Sequence, residues 1–355
     1  MDEANARIDK IKGLRIQHRN WTRALSESFA LLTVASPGDV ICITGPSRAG
    51  KSRLIQELVR LLCGEDRFYQ TGLLPAVVVE AVNSGPNGLF ATKAFTQRML
   101  DAVKHPILSV EGALLDVDPA VMKAHRTTEA ALRLALERAL RARKTRFLFI
   151  DEAQHVRYVS KTAMGGYAVL DSWKCLAKDA GVVLVVVGAY PLLDILNNSP
   201  HLLGRKNQVH LPRYSAVPDD IAEFGRILAH YDQLVDLGVG CSSLVKYGQL
   251  LYEGSVGCIG LLRKWLLHAS VIASSRSESL SESLLLETRP PAADIEAISR
   301  EIAHGETYLS NVGSFEKPKG ARSRSMESRS STAPKRPFQK KPRRLARGNR
   351  KGPVV

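Results

Sequence analysis

Residues 147–155, Phe-Leu-Phe-Ile-Asp-Glu-Ala-Gln-His, run four apolar side chains straight into two adjacent carboxylates, Asp151 and Glu152. A carboxylate at the end of a buried strand is unfavourable unless a cation compensates it. Far upstream stands Gly45-Pro46-Ser47-Arg48-Ala49-Gly50-Lys51-Ser52, a full match to G-x-x-x-x-G-K-[ST]. In that pattern the glycines let successive backbone N–H groups curl around phosphate oxygens, and the helix that follows points its positive dipole end at them. The lysine, Lys51, reaches the terminal phosphates, and the Ser52 hydroxyl holds Mg²⁺. The cation that compensates Asp151 is then this metal, which makes Ser52 and Asp151 the expected metal ligands and residues 45–52 the expected nucleotide contacts. Glu152, beside the metal, is placed to align and polarise a water against the γ-phosphate. That favours hydrolysis over transfer to a substrate hydroxyl, with ATP and Mg²⁺ as the expected cofactors. His155 is also within reach of such a site, but a lone histidine after a strand is more often structural.

These groups need strands and helices to hold them. The runs Val40–Thr44, Ala76–Val79, Phe147–Ile150 and Val182–Val187 read as buried strands, and helical spacing recurs at about 52–63, 93–104, 126–143 and 166–179. Strands alternating with helices predict a parallel sheet covered on both faces, an α/β fold. Residues 1–33 read as two helices ahead of an α/β nucleotide-binding domain at 34–215. Beyond Pro212 the pattern turns wholly helical (219–236, 242–253, 256–274), predicting a small lid domain at 216–275. A Ser/Glu-rich linker with a short helix at about 291–304 fills 276–316, and 317–355 is a tail.

The net charge of +15 belongs to that tail. Lys317 to Val355 hold 14 of the 50 Lys/Arg and one of the 35 Asp/Glu, which leaves +2 for residues 1–316. Rich in Ser, Pro, Gly and Arg and without apolar periodicity, the segment is expected to be disordered. It offers charge without sequence-reading geometry, which suits non-specific attraction to duplex phosphates; a docking peptide for a partner, anchored by Phe338, and a solubilising extension are the other readings. The five cysteines, Cys42, Cys63, Cys175, Cys241 and Cys258, are odd in number with no C-x-x-C pair, so they read as reduced and mostly core. No run approaches a membrane span and the N-terminus lacks the parts of a signal peptide, so a cytoplasmic location without membrane partners is expected.

Two arginines could complete the site. Arg205, between the 182–187 strand and the helical part, could act as a catalytic finger on a neighbouring subunit's γ-phosphate, an effect worth about 10³–10⁵ in rate; a surface arginine fits the spacing equally well. Arg263, in Ser255-Val-Gly-Cys-Ile-Gly-Leu-Leu-Arg-Lys-Trp265, could let the lid contact the nucleotide, with Lys264 competing for the role. The end of the 182–187 strand is where many such enzymes carry a polar γ-phosphate sensor. Gly188-Ala189-Tyr190 offers only Tyr190 there.

Three stretches together resemble the AAA+ ATPases of bacterial DNA transposition, of the TnsC and TniB kind, with the TnsC branch nearer: Gly45–Ser52 with Phe147–His155; Val187-Gly-Ala-Tyr-Pro-Leu-Leu through Arg205 to His210-Leu-Pro-Arg-Tyr214; and Ser255–Gly260 through Trp265-Leu-Leu-His-Ala269. The likeness covers about residues 5–270. It implies a P-loop AAA+ fold with a helical lid, and a regulator that assembles as a homo-oligomeric ring or filament on duplex DNA. It also implies partners, a target-selection protein of the TnsD or TniQ kind and a transposase, with ATP hydrolysis controlling disassembly. Lys51 and Ser52, Asp151 and Glu152, and Arg205 carry over as phosphate and magnesium, metal and hydrolytic, and finger residues. The family often has Gly-Thr where this chain has Gly188-Ala189. Competing readings are a replication-initiator or helicase-loader ATPase, and a nucleotide-gated scaffold that hydrolyses little.

Overall fold

The computed structural model describes residues 9, 13, 16–65, 68–85, 88–109, 127–159, 164–197, 206–237 and 243–313. Its centre is a five-stranded parallel sheet built from β1 (Val40–Thr44), β2 (Ala76–Glu80), β3 (Phe147–Asp151), β4 (Val183–Gly188) and β5 (Lys206–His210), in the order β2-β3-β4-β1-β5. Register places Val40 beside Leu184 and Lys206, and Phe147 beside Ala76 and Val183.

The three central strands are buried along their whole length, and their side chains divide between two cores by the period of two that a strand imposes. Val40, Cys42, Leu148, Ile150, Leu184 and Val186 face one layer, made of α3 (Thr92–Ala102), α4 (Glu129–Ala142) and α5 (Met164–Ala180). Ile41, Ile43, Phe147, Phe149, Val183 and Val185 face the other, made of α1 (Arg19–Val34) and α2 (Lys51–Cys63). Burial of each such side chain contributes about 1.5–3 kcal/mol, so the sheet fixes where its strand ends lie. A short α6 (Pro191–Asn197) follows β4.

β5 lies in a segment where the apolar pattern predicts no strand. Lys-Asn-Gln-Val-His offers only Val209 to the core, which suffices because β5 is an edge strand carried by main-chain pairing with β1. Two helices are predicted ahead of β1; α1 is one, and the other falls at residues lying mostly outside the described set.

The lid comprises α7 (Pro218–Asp232), a 3₁₀ turn at Leu244–Tyr247, α8 (Gly248–Ser255) and α9 (Ile259–Arg276). Its core gathers Phe224, Leu228, Tyr231, Leu251, Leu262 and Trp265. The stretch expected to be a linker also contributes: Leu280, Leu284 and Leu285 are buried in the same core, the last two on α10 (Glu282–Glu287), which Ser281 caps. The helix expected at 291–304 is instead α11, Ala292–Gly313, 22 residues long. Among the described residues no single helix is long and apolar enough to cross a membrane. Cys42 and Cys258 are buried, but Cys63 is half-buried and Cys175 exposed, so the expectation of mostly core cysteines holds for only part of the set; Cys241 lies outside the described residues.

Candidate functional site

Ligands of open parallel sheets bind at the carboxyl ends of the strands, where the order switches. Here β1 switches: the chain leaves it for β2 at the far edge, while β5 pairs on its other side. The loop Gly45–Gly50 leaves β1 at that end and delivers the chain to the N-terminus of α2 at Lys51. Lys51 is 5% exposed, and its Nζ donates to the Gly45 carbonyl at 3.2 Å and the Pro46 carbonyl at 2.8 Å. Burial pushes the ammonium below its ordinary pKa, against the opposing pull of Glu152, Glu301 and Asp151.

β3 carries the carboxylates to the same end. Asp151 is buried, and its Oδ1 accepts the Glu152 amide at 2.8 Å. Glu152 adopts φ 52, ψ 32, a left-handed conformation that a residue without a glycine's freedom reaches only at a cost. Its carboxylate is held by Gln154, whose Nε2 donates to Oε2, while Gln154 Oε1 accepts the Ala189 amide at 3.0 Å. Gln154 therefore links the acid after β3 to the main chain after β4, where a polar sensor residue is expected.

Tyr190, the candidate for that sensor, is fully buried. Its hydroxyl is 2.9 Å from His210 Nε2, burial pushes its phenol up, and its ring packs with Leu193, Cys258, Leu261 and Ile302. The side chain is committed to that apolar cluster. His155 sits half-buried in the 3₁₀ turn Ala153–Tyr158.

Two cavities meet on this loop. One, of about 520 Å³, is lined by Ser47, Arg48, Lys51, Ser52 and Glu152, with Gly260 from the lid. The other, about 300 Å³, is lined by His18, Trp21, Ala49, Tyr231, Ile259 and Arg263. Gly50, Arg53 and Gly260 border both. Of the two neighbouring cations on α9, Arg263 faces the cavity it shares with Gly50, whereas Lys264 lines a separate cavity beside α11. Arg205 lies outside the described residues.

The donor set fits a nucleoside triphosphate with its metal. A buried ammonium hydrogen-bonded to two loop carbonyls can exchange them for phosphate oxygens, and the exposed Ser52 and the buried Asp151 supply two hard oxygen ligands. Trp21, Tyr231 and Ile259 give the second cavity apolar surface that suits the ring of a purine, beside the charged Arg53, Glu57, Arg60 and Arg263.

Residues 35–196 match the model of an AAA domain. This region has the AAA P-loop ATPase fold. The matched residues contain the loop, both carboxylates and Gln154, while β5, the lid and α11 lie beyond them. Solved structures with similarity include a Walker-type ATPase of Pyrococcus abyssi (14% identity, 82% of this chain and 75% of that one, TM-score 0.48). The ORC2 protein of Aeropyrum pernix in its ADP form also matches (19%, 78% and 68%, TM-score 0.49), as does the RuvB Holliday junction branch migration motor of Thermotoga maritima (13%, 76% and 67%, TM-score 0.40). No curated protein matches the chain.

Glu301 is the contact that sequence reasoning missed. This α11 side chain accepts the Ser47 amide at 3.1 Å on Oε1 and the Ser47 hydroxyl at 2.8 Å on Oε2. A separation of 254 residues leaves no local signal for it.

Proposed function

We propose that this chain is an ATP-hydrolysing regulator of DNA transposition, which assembles on duplex DNA and couples target selection to a transposase. The observation that carries the ATPase part is the convergence of Lys51, Ser52 and Glu152 with Gly260 of the lid on one cavity, with Asp151 buried at the adjoining strand end. Support for the DNA part is the resemblance of three separate stretches to the transposition ATPases, together with the 14 cations after residue 316.

In this reading Lys51 gives up the Gly45 and Pro46 carbonyls and binds the β- and γ-phosphates. Mg²⁺ held by Ser52 and Asp151 would supply charge neutralisation on the phosphate oxygens when bound. Glu152 accepts a proton from the attacking water, and Gln154 aims it. Arg263 contacts the nucleotide from the lid, so the two halves of the molecule share one ligand, and Arg205 supplies a finger to the next subunit.

Purified protein mixed with duplex DNA, with and without a slowly hydrolysed ATP analogue, tests this by negative-stain electron microscopy. Rings or filaments on DNA that need the nucleotide are expected. A protein that stays monomeric in every mixture overturns the regulator reading and the finger role of Arg205. A second reading, a nucleotide-gated scaffold with little hydrolysis, is favoured by one observation: the main chain after β4 offers no polar side chain except the buried Tyr190.

A further inference from the structure

Helix α11 is fixed across the ligand-binding end of the sheet by three kinds of contact. Glu301 holds Ser47 through both carboxylate oxygens. Glu306 pairs in two-pronged fashion with Arg213, at 2.9 Å from Nε and 3.1 Å from the second guanidinium nitrogen. Between them Gly305 lies flat on the Tyr190 ring, where a Cβ would come within 2.1 Å of the ring carbons, and Ile302 is buried beside Tyr190, Leu193, Cys258 and Leu261.

Ser47 is the third residue of the phosphate-binding loop, whose amides exist to hold anions. In this structure the anion on its amide is a carboxylate of the chain itself. That carboxylate also pulls on Lys51, the ammonium proposed to bind the outer phosphates, raising its pKa against the lowering by burial. Two anions facing one amide, one hydroxyl and one ammonium repel each other.

We propose that Glu301 is a built-in competitor of the outermost nucleotide phosphate: a triphosphate displaces it from Ser47 and thereby lifts α11 from the loop, and a diphosphate does so less. Glu301 then sets discrimination between the two nucleotides, and α11 moves most when the site holds the longer one. The inference rests on the reading of this loop as an ATP site.

Amide hydrogen exchange across residues 292–313 of the full-length wild-type protein is the first test, with a slowly hydrolysed ATP analogue, with ADP and with neither. Exchange in this helix is expected to rise about tenfold with the analogue and clearly less with ADP. In parallel, fluorescence anisotropy of labelled nucleotides is expected to show Glu301→Gln binding the triphosphate about tenfold more tightly, the scale of a lost charged hydrogen bond, with a smaller gain for the diphosphate. Ser47→Ala, which removes only the hydroxyl contact to Glu301 and keeps the amide one, should shift the same way by less. Nucleotide that binds with unchanged exchange and equal affinities overturns the competitor role and leaves the ATP site standing. No binding by the wild type or by either variant overturns both.

Discussion

The Gly260 amide donates to the Arg48 carbonyl at 3.0 Å, a main-chain bond between the first turn of the lid helix α9 and the Gly45–Gly50 loop. The contact admits no side chain, since a Cβ on Gly260 would stand 2.2 Å from that carbonyl oxygen. Gly260→Ala is therefore expected to push the lid from the loop while both halves stay folded. Nucleotide affinity should fall about tenfold or more, with an unchanged far-ultraviolet circular dichroism spectrum as the control. Unchanged affinity would mean that the lid does not help to hold the ligand.

Gln154 separates positioning from chemistry. Gln154→Ala frees the Glu152 carboxylate and leaves the Ala189 amide without its partner, yet removes no proposed phosphate contact. Turnover should drop by roughly 10–100-fold with nucleotide affinity within about twofold of wild type, a fraction of the 10²–10⁴ that a positioned base supplies. Gln154→Glu should be as slow, because a second carboxylate repels Glu152 instead of holding it. Equal turnover in both variants and the wild type would remove Gln154 from the mechanism.

The join between α1 and the lid depends on a neutral histidine. His18 Nδ1 accepts the Trp21 amide at 3.4 Å as the cap of α1 and lies 3.0 Å from the Tyr214 hydroxyl of the lid core. Burial lowers its pKa to about 4, with Glu223 pulling the other way. The unfolded chain takes up the proton at about 6.5, so this stability is present above pH 6.5 and is lost as pH falls towards 4, by about 3 kcal/mol at the lower end. Melting temperatures between pH 7 and 4.5 should fall more steeply for the wild type than for His18→Asn, which can still cap the helix. Parallel curves would assign the acid sensitivity elsewhere.

Much of this was legible in residue order, and the exceptions have physical causes. Val40–Thr44 and Phe147–Asp151 announce buried strands because both faces of a central parallel strand need apolar side chains. β5 hides because an edge strand can be polar, and Leu280, Leu284 and Leu285 hide among serines and glutamates that face outward. Arg263 and Lys264 are neighbours in sequence, yet a step of one residue turns a side chain about 100° around a helix. They therefore line different cavities, and periodicity alone does not tell which of them faces the Gly45–Gly50 loop. Glu301 and Arg213 act through contacts made only once the lid and α11 have packed on the sheet.

The basic tail has its own test in the salt dependence of DNA binding. Each phosphate neutralised steepens the slope of log K against log salt by about 0.9. Full-length protein should show a slope steeper by several units than a chain ending at residue 316. Equal slopes would leave the tail as a docking peptide or a solubilising extension.

The most direct test of the whole reading compares wild type with Glu152→Gln for steady-state ATP turnover and, in the same preparations, for assemblies on duplex DNA. The variant is expected to lose turnover by about 10²–10⁴ while still binding ATP, and to accumulate DNA-bound assemblies that the wild type disassembles. Equal turnover in the two proteins, or loss of the assemblies together with turnover, would contradict a DNA-bound ATPase that uses Glu152 to reset itself.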